Sequence, residues 1–128
     1  MSFEPGFVAQ VDAAGEVEIE TQRPGRPAVR TIIWVVVEGG RVYVRSVLAE
    51  EGRWYRRLRA TSAGRLHVGG SATAVRAVPV DDPAEVERVS EALRRKYARQ
   101  ASSLARMLRP ETLPTTLRLE PARPGAAT

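Results

Sequence analysis

The sequence predicts a mainly β fold, a small and mostly antiparallel barrel with α decoration. Three observations predict it. Strand-like runs follow one another without alternating helices, which argues against a doubly wound parallel sheet. Two glycine pairs stand between such runs: Gly39-Gly40 supplies the positive φ that a tight hairpin turn needs, and Gly69-Gly70 reads as a turn or a bulge. Only one stretch, residues 82–97, carries both a capping signal and a sustained helical spacing of apolar residues.

The elements follow in order. Residues 5–14 are expected to form one or two helical turns around Phe7, Val8 and Val11. Residues 16–21 alternate polar and apolar, a half-buried strand. Residues 23–27, with two prolines and a glycine, read as a loop. A hairpin over 29–47 comes next. Its first strand includes the apolar run 32–37, and its second sets Val42 and Val44 on one face and Tyr43 and Arg45 on the other. Residues 50–60 have helical composition and put Trp54, Leu58 and Tyr55 on one side. Residues 65–69 and 71–80 are two more strands.

Asp82 is a good N-cap, Pro83 suits the first helical position, and Glu85 fills the third. Val86, Val89, Leu93 and Tyr97 then form one apolar face, and Arg94, Arg95 and Lys96 complement the helix dipole at its end. A second short helix is expected over 102–109, capped by Ser102 and stopped before Pro110. Residues 115–119 read as the last strand. The Pro/Ala-rich composition from residue 121 onward leaves a single domain over 1–122 and a disordered tail over 123–128.

Composition narrows the function. The 128 residues include no cysteine, which excludes disulfides, thiol catalysis and thiolate metal sites. The one histidine, His67, lies in an apolar strand, cannot build a multi-histidine metal site, and reads as a packed or partly exposed sheet residue. No run is long and apolar enough to span a membrane, and the N-terminus lacks the basic region of a secretory signal, so the expected location is the cytoplasm. Of the 20 basic residues only Lys96 is lysine, a bias that a GC-rich genome also produces. The placement of charge is more telling. Residues 1–40 balance at −3, residues 41–65 at +5 and residues 66–128 at +3. A local basic patch can hold an anion. No helix-turn-helix or RNA-binding signature accompanies it, so nucleic acid is the weaker reading of that charge.

Ser46 ends the second strand of the hairpin. Arg53, Trp54, Tyr55, Arg56, Arg57 and Arg59 follow closely. A hydroxyl at a strand end, then guanidinium groups and flat aromatics, suits a ligand with a phosphate and a ring system. Arg53 and Arg57 are four apart, so a helix sets them on one side, converging on an anion or simply solvated. There is no dinucleotide fingerprint or P-loop. No acid–base catalyst stands out, since Glu38, Glu50 and Glu51 fall in turns without partners.

The runs TIIWVVVEGGRVYVRS, GRWYRRLRA and GRLHVGG together resemble the split-barrel flavin-binding superfamily typified by pyridoxamine phosphate oxidase. Ser46, Trp54-Tyr55, Leu58 and residues 66–68 fall on the pattern of its deazaflavin-dependent nitroreductase branch. IWVV, YVRS, RWYR, the helical KY and the terminal TLRL resemble, over about residues 15–122, an uncharacterised family within the superfamily. The resemblance implies a six-stranded antiparallel split β-barrel. It also implies a homodimer with FMN or a deazaflavin coenzyme at the dimer interface.

By that resemblance Ser46 and Arg45 contact the cofactor phosphate. The other reading is an ordinary strand terminus with a surface arginine. Trp54 is a core or dimer-contact residue or a stacking platform. Trp34 packs in the core or lines the ring edge. Arg30 and Thr31 are weaker phosphate or ring contacts. The nitroreductase branch has asparagine where this chain has Arg57, and the phosphate lysine of many split-barrel oxidases is absent. Arg53, Arg56 or Arg57 can substitute, because arginine grips phosphate bidentately. This leaves open FMN, the longer deazaflavin coenzyme or no cofactor. The functional expectation is an oxidoreductase of unspecified substrate or, alternatively, a non-catalytic carrier or sensor for a flavin or other planar anion.

Overall fold

The computed structural model describes residues 2–122. The elements are α1 (Pro5–Ala13), β1 (Val17–Arg23), β2 (Arg26–Ile33), β3 (Val36–Glu38), β4 (Arg41–Val44), a 3-10 turn (Ala49–Glu51), α2 (Arg53–Thr61), β5 (Ala63–Val68), β6 (Ser71–Pro79), α3 (Pro83–Lys96), α4 (Ala101–Met107), a second 3-10 segment (Pro110–Thr115) and β7 (Leu117–Pro121). The strands form one curled sheet in the order β2-β1-β5-β6-β7-β4-β3, with every pair antiparallel. Mainly β with helical decoration is therefore correct, but the sheet has seven strands rather than six.

The extra strand comes from a break inside the apolar run 32–37. β2 ends at Ile33 and pairs with β1, while β3 starts at Val36 and pairs with β4. At the break, side chains replace strand partners. The Val35 N–H donates to Tyr97 Oη at 3.2 Å, and the Val35 carbonyl accepts from Lys96 Nζ at 2.7 Å. A buried backbone group needs a partner of some kind, and here the end of α3 provides it.

Alternation along β4 sets the layers. Val42 and Val44 enter the cluster inside the curl with Val17, Ile19, Leu58, Leu66, Val75 and Leu119. Tyr43 faces the other way, into a second cluster beneath α3 with Val89, Leu93, Tyr97 and Met107. The expected apolar face of α3 is present, with Val86 only half-buried at its edge. Asp82 caps the helix by accepting from the Ala84 N–H at 3.2 Å. The turn at Gly39-Gly40 has φ of +59° and +76°, as a two-residue hairpin requires.

Three local expectations are corrected. Residues 23–27 are not a loop: β1 runs to Arg23, β2 starts at Arg26, and only Pro24-Gly25 turns. The cap position of α4 is Gln100 rather than Ser102, and no side chain caps it. The last strand starts at Leu117, not Thr115. Thr115 Oγ1 donates to the Thr112 carbonyl at 2.6 Å and Thr116 Oγ1 to the Leu113 carbonyl at 2.8 Å, which holds this stretch in a 3-10 conformation. The expected tail, 123–128, lies outside the described residues. No helix among the described residues is long and apolar enough to cross a membrane.

Candidate functional site

A cleft of about 300 Å³ opens where the β2–β3 break, the exit of β4, the first turn of α2 and α4 meet. Trp34, Arg45 and Trp54 line it, three of the residues the sequence singles out. Trp34 is half-buried and stacks flat on Tyr97. Trp54 is buried, with its ring edge-on to Tyr55 at 6.2 Å between centroids. Each tryptophan packs into the body and also presents surface to the cleft.

Arg45 is not a surface arginine. Alternation turns it toward α3, and it is only 2% exposed. Its guanidinium donates to Thr116 Oγ1 at 2.9 Å, Ser90 Oγ at 3.0 Å and the Val86 carbonyl at 3.1 Å. None of these partners is a carboxylate. Burial pushes its pKa down to about 10, with Arg94 adding to the shift and Glu87 opposing it. A buried cation whose partners are all neutral is costly, and this one lies in a wall of the cleft.

Ser46 follows, also buried. Its N–H donates to Thr115 Oγ1 at 3.0 Å, but its own hydroxyl has no partner among the described residues. The hydroxyl lies against Gly52, so closely that a Cβ on residue 52 would overlap it. Gly52 is also the N-cap of α2, and no side chain caps that helix. The first turn of α2 therefore has uncapped N–H groups beside an orphaned hydroxyl, the arrangement that suits an anion.

Arg53 is exposed in that first turn. Arg57, one turn on and half-buried, donates from Nε to the buried Thr21 Oγ1 at 2.8 Å. Its pKa is lowered, first by burial and then by the positive charges of Arg23 and Arg53. The charges of Arg23 and Arg53 are thus felt at Arg57. Arg30 pairs instead with Glu18, and Thr31 lies opposite Ile19 on β1. Neither of these two lines the cleft, and nor do Ser46, Arg53 and Arg57, although Ile32 and Ile33 do. His67 lies in β5 with Nε2 2.7 Å from Glu20 Oε1, a sheet residue as expected.

Sequence reasoning missed the contribution of α4 and of Glu16, the carboxylate that lines the cleft. Gln100, Ser103 and Arg106 recur at intervals of three and face the cleft together. That polar stripe was visible in the sequence, but nothing local says which surface it meets. Arg23 and Gly52 were also missed, since their roles depend on neighbours from other elements.

Comparison with known proteins supplies the context. No curated protein matches the sequence. Solved structures match the fold. The heme storage protein HutZ from Vibrio cholerae has a TM-score of 0.65 at 12% identity, over 97% of this chain and 93% of that one. An FAD-binding protein from Mesorhizobium loti has a TM-score of 0.62 at 10% identity, over 96% and 93%. An F420-H2 dependent reductase has a TM-score of 0.62 at 13% identity, over 83% and 94%. At these identities the likeness is one of fold alone, the curled antiparallel sheet with helices that the sequence resemblance implied. Within that fold the chain belongs to the family described as "Uncharacterized protein conserved in bacteria (DUF2255)", whose model it matches over residues 7–119.

Proposed function

We propose that this protein binds a planar cofactor carrying a phosphate, FMN or a deazaflavin coenzyme, as a homodimeric oxidoreductase of the cytoplasm. The ring occupies the cleft between Trp34 and Trp54, and the phosphate sits at the first turn of α2 with Ser46, Arg53 and Arg57. The observation that carries this reading is the orphaned Ser46 hydroxyl beside the uncapped, glycine-started helix. A buried hydroxyl without a partner costs about 1–3 kcal/mol, and an anion in reach of it relieves that cost. Trp54 joins the two halves, since it lines the cleft and directly follows Arg53.

The residues fit the group in chemical type: two indoles in the cleft for a ring, Arg45 as a fixed positive charge in its wall, and outside the lining the Arg53 and Arg57 guanidinium groups for a phosphate. When bound, such a cofactor supplies hydride transfer, and the protein supplies binding, orientation and electrostatics. That division of labour suits a cleft lined by one carboxylate, Glu16, and by no histidine. The same lining favours the second reading, a carrier or sensor that holds a planar anion without turning it over. The similarity of fold to a heme storage protein makes heme part of the test.

Purified protein titrated with FMN, the deazaflavin coenzyme and heme, followed by absorbance and tryptophan fluorescence, decides the ligand. Saturable binding of FMN or the deazaflavin supports the proposal. Binding of heme alone, or of none of the three, overturns it. Turnover of the reduced cofactor with an electron acceptor then separates enzyme from carrier.

A further inference from the structure

Helix α4 is seven residues long and lacks a side-chain N-cap. One side holds it to the body. Met107 is buried, and Leu104 and Leu108 are half-buried, all against the cluster beneath α3. Its other side presents Gln100, Ser103 and Arg106 to the cleft. Arg106 is exposed, and its guanidinium forms no ion pair among the described residues. A lone surface arginine needs no explanation. Arg106 is set apart by what it shares: a helix face with two other hydrogen-bonding side chains, across a cleft walled by two indoles.

Resting on the cofactor reading above, we infer that α4 is the element that reads the ring. Arg106 and Ser103 donate hydrogen bonds to acceptor oxygens on the edge of the ring remote from the phosphate, while the first turn of α2 takes the phosphate itself. The planar guanidinium fork matches paired acceptors in one plane, and Trp34 and Trp54 line the same cleft as Arg106. The ligand class is thus a planar heteroaromatic with a carbonyl-bearing edge. A ring of equal size without those acceptors leaves Arg106 unpaired and binds weakly.

The two ends of the ligand are tested separately. Full-length wild type, Arg106→Ala, Arg53→Ala and Arg99→Ala are titrated with FMN and with riboflavin, which keeps the ring but lacks the phosphate. Tryptophan quenching is the readout. Arg99 is an exposed arginine that does not line the cleft, and it controls for general charge. Arg106→Ala is expected to weaken both ligands about tenfold and by like factors, the loss of one charged hydrogen bond. Arg53→Ala weakens FMN alone, and Arg99→Ala weakens neither.

Riboflavin binding that is unchanged by Arg106→Ala overturns the inference. An equal loss in Arg99→Ala overturns it as well, and so does riboflavin without measurable affinity for wild type, because a ring held only through its phosphate gives α4 nothing to read. Where wild type prefers the deazaflavin coenzyme, the phosphate-free chromophore of that coenzyme replaces riboflavin. Wild type that binds no phosphate-bearing ligand sinks the cofactor reading too. Binding by wild type with no effect of Arg106→Ala sinks the role of α4 alone.

Discussion

Tyr97 lies flat on Trp34, with ring centroids 3.8 Å apart and planes 2° from parallel. Both residues meet at the break between β2 and β3. The Tyr97 hydroxyl accepts from the Val35 N–H at 3.2 Å and donates to the Gly15 carbonyl at 2.8 Å. Lys96 Nζ reaches the Val35 carbonyl at 2.7 Å and the Val11 carbonyl at 3.3 Å. The C-terminal end of α3 therefore binds both polar groups of Val35 and presses a ring against Trp34. A feature of the fold thus fixes one wall of the cleft.

Tyr97→Phe separates the stack from the hydroxyl. It keeps the ring on Trp34 but leaves the buried Val35 N–H without its partner. The expected loss is about 1–3 kcal/mol in urea unfolding, with tryptophan emission close to that of wild type. A loss below about 0.5 kcal/mol would mean that water readily replaces the hydroxyl and that the break is held by packing alone.

This junction also marks where the sequence stops being informative. The turn at Gly39-Gly40, the Asp82 cap and the alternation along β4 are local signals, and each appears where the pattern sets it. The break at Trp34-Val35 is not local, since Tyr97 and Lys96 lie about sixty residues away in the chain. Taken alone, an unbroken apolar run reads as one strand. Arg45 shows the same limit. Its face follows from alternation, but its burial depends on Ser90, Val86 and Thr116 arriving from two other elements. Of the candidate site, Ser46 and Arg53 can be grouped from the sequence because strand end and helix start are close along the chain. The α4 residues cannot, because the cleft wall they face is built from residues more than forty positions earlier.

Acid should weaken the fold through Glu85. Its pKa is lowered, chiefly by the Tyr43 hydroxyl, which donates to Oε2 at 2.6 Å, against opposing burial; Arg118 at 3.1 Å and Arg41 add to the lowering. The folded carboxylate then binds its proton at lower pH than the unfolded one. Its contribution is complete above the ordinary value near 4.5 and is lost as pH falls below it through the folded value. Urea midpoints are expected to fall between pH 5 and pH 3 in wild type, by the ordinary titration range of carboxylates. In Glu85→Gln they should fall less over that range from a lower starting point. Equal acid limbs in both proteins would remove Glu85 as the cause.

A homodimer is expected to come with cofactor binding. Ile32 is 61% exposed at the rim of the cleft, Leu48 is 54% exposed, and β2 is an edge strand with open backbone groups. Apolar side chains on an open edge are surfaces that a protein normally covers. Light scattering should give twice the 14.0 kDa of one chain at micromolar concentration, and Ile32→Glu should shift the protein toward monomer. A wild-type monomer would remove the homodimer from the proposal.

Ser46 gives the sharpest test, because its two possible roles predict opposite signs. If the hydroxyl contributes only to the fold, its removal should destabilise the protein. It is buried and has no partner among the described residues, so Ser46→Ala removes an uncompensated desolvation cost of about 1–3 kcal/mol and should leave stability unchanged or raised. The same substitution should weaken FMN or the deazaflavin coenzyme by about tenfold, since a hydrogen bond to a charged phosphate is lost. Riboflavin should be indifferent. Gly52→Ala approaches the same atom from the other side. Its Cβ overlaps the Ser46 hydroxyl, so the hydroxyl must turn away or the helix start must shift, and phosphate affinity should fall further than in Ser46→Ala. The double variant Ser46→Ala/Gly52→Ala, with the overlap relieved, should recover stability but not affinity. A destabilised Ser46→Ala with unchanged cofactor affinity would make the hydroxyl part of the Thr115–Ser46 packing and remove the phosphate from the first turn of α2.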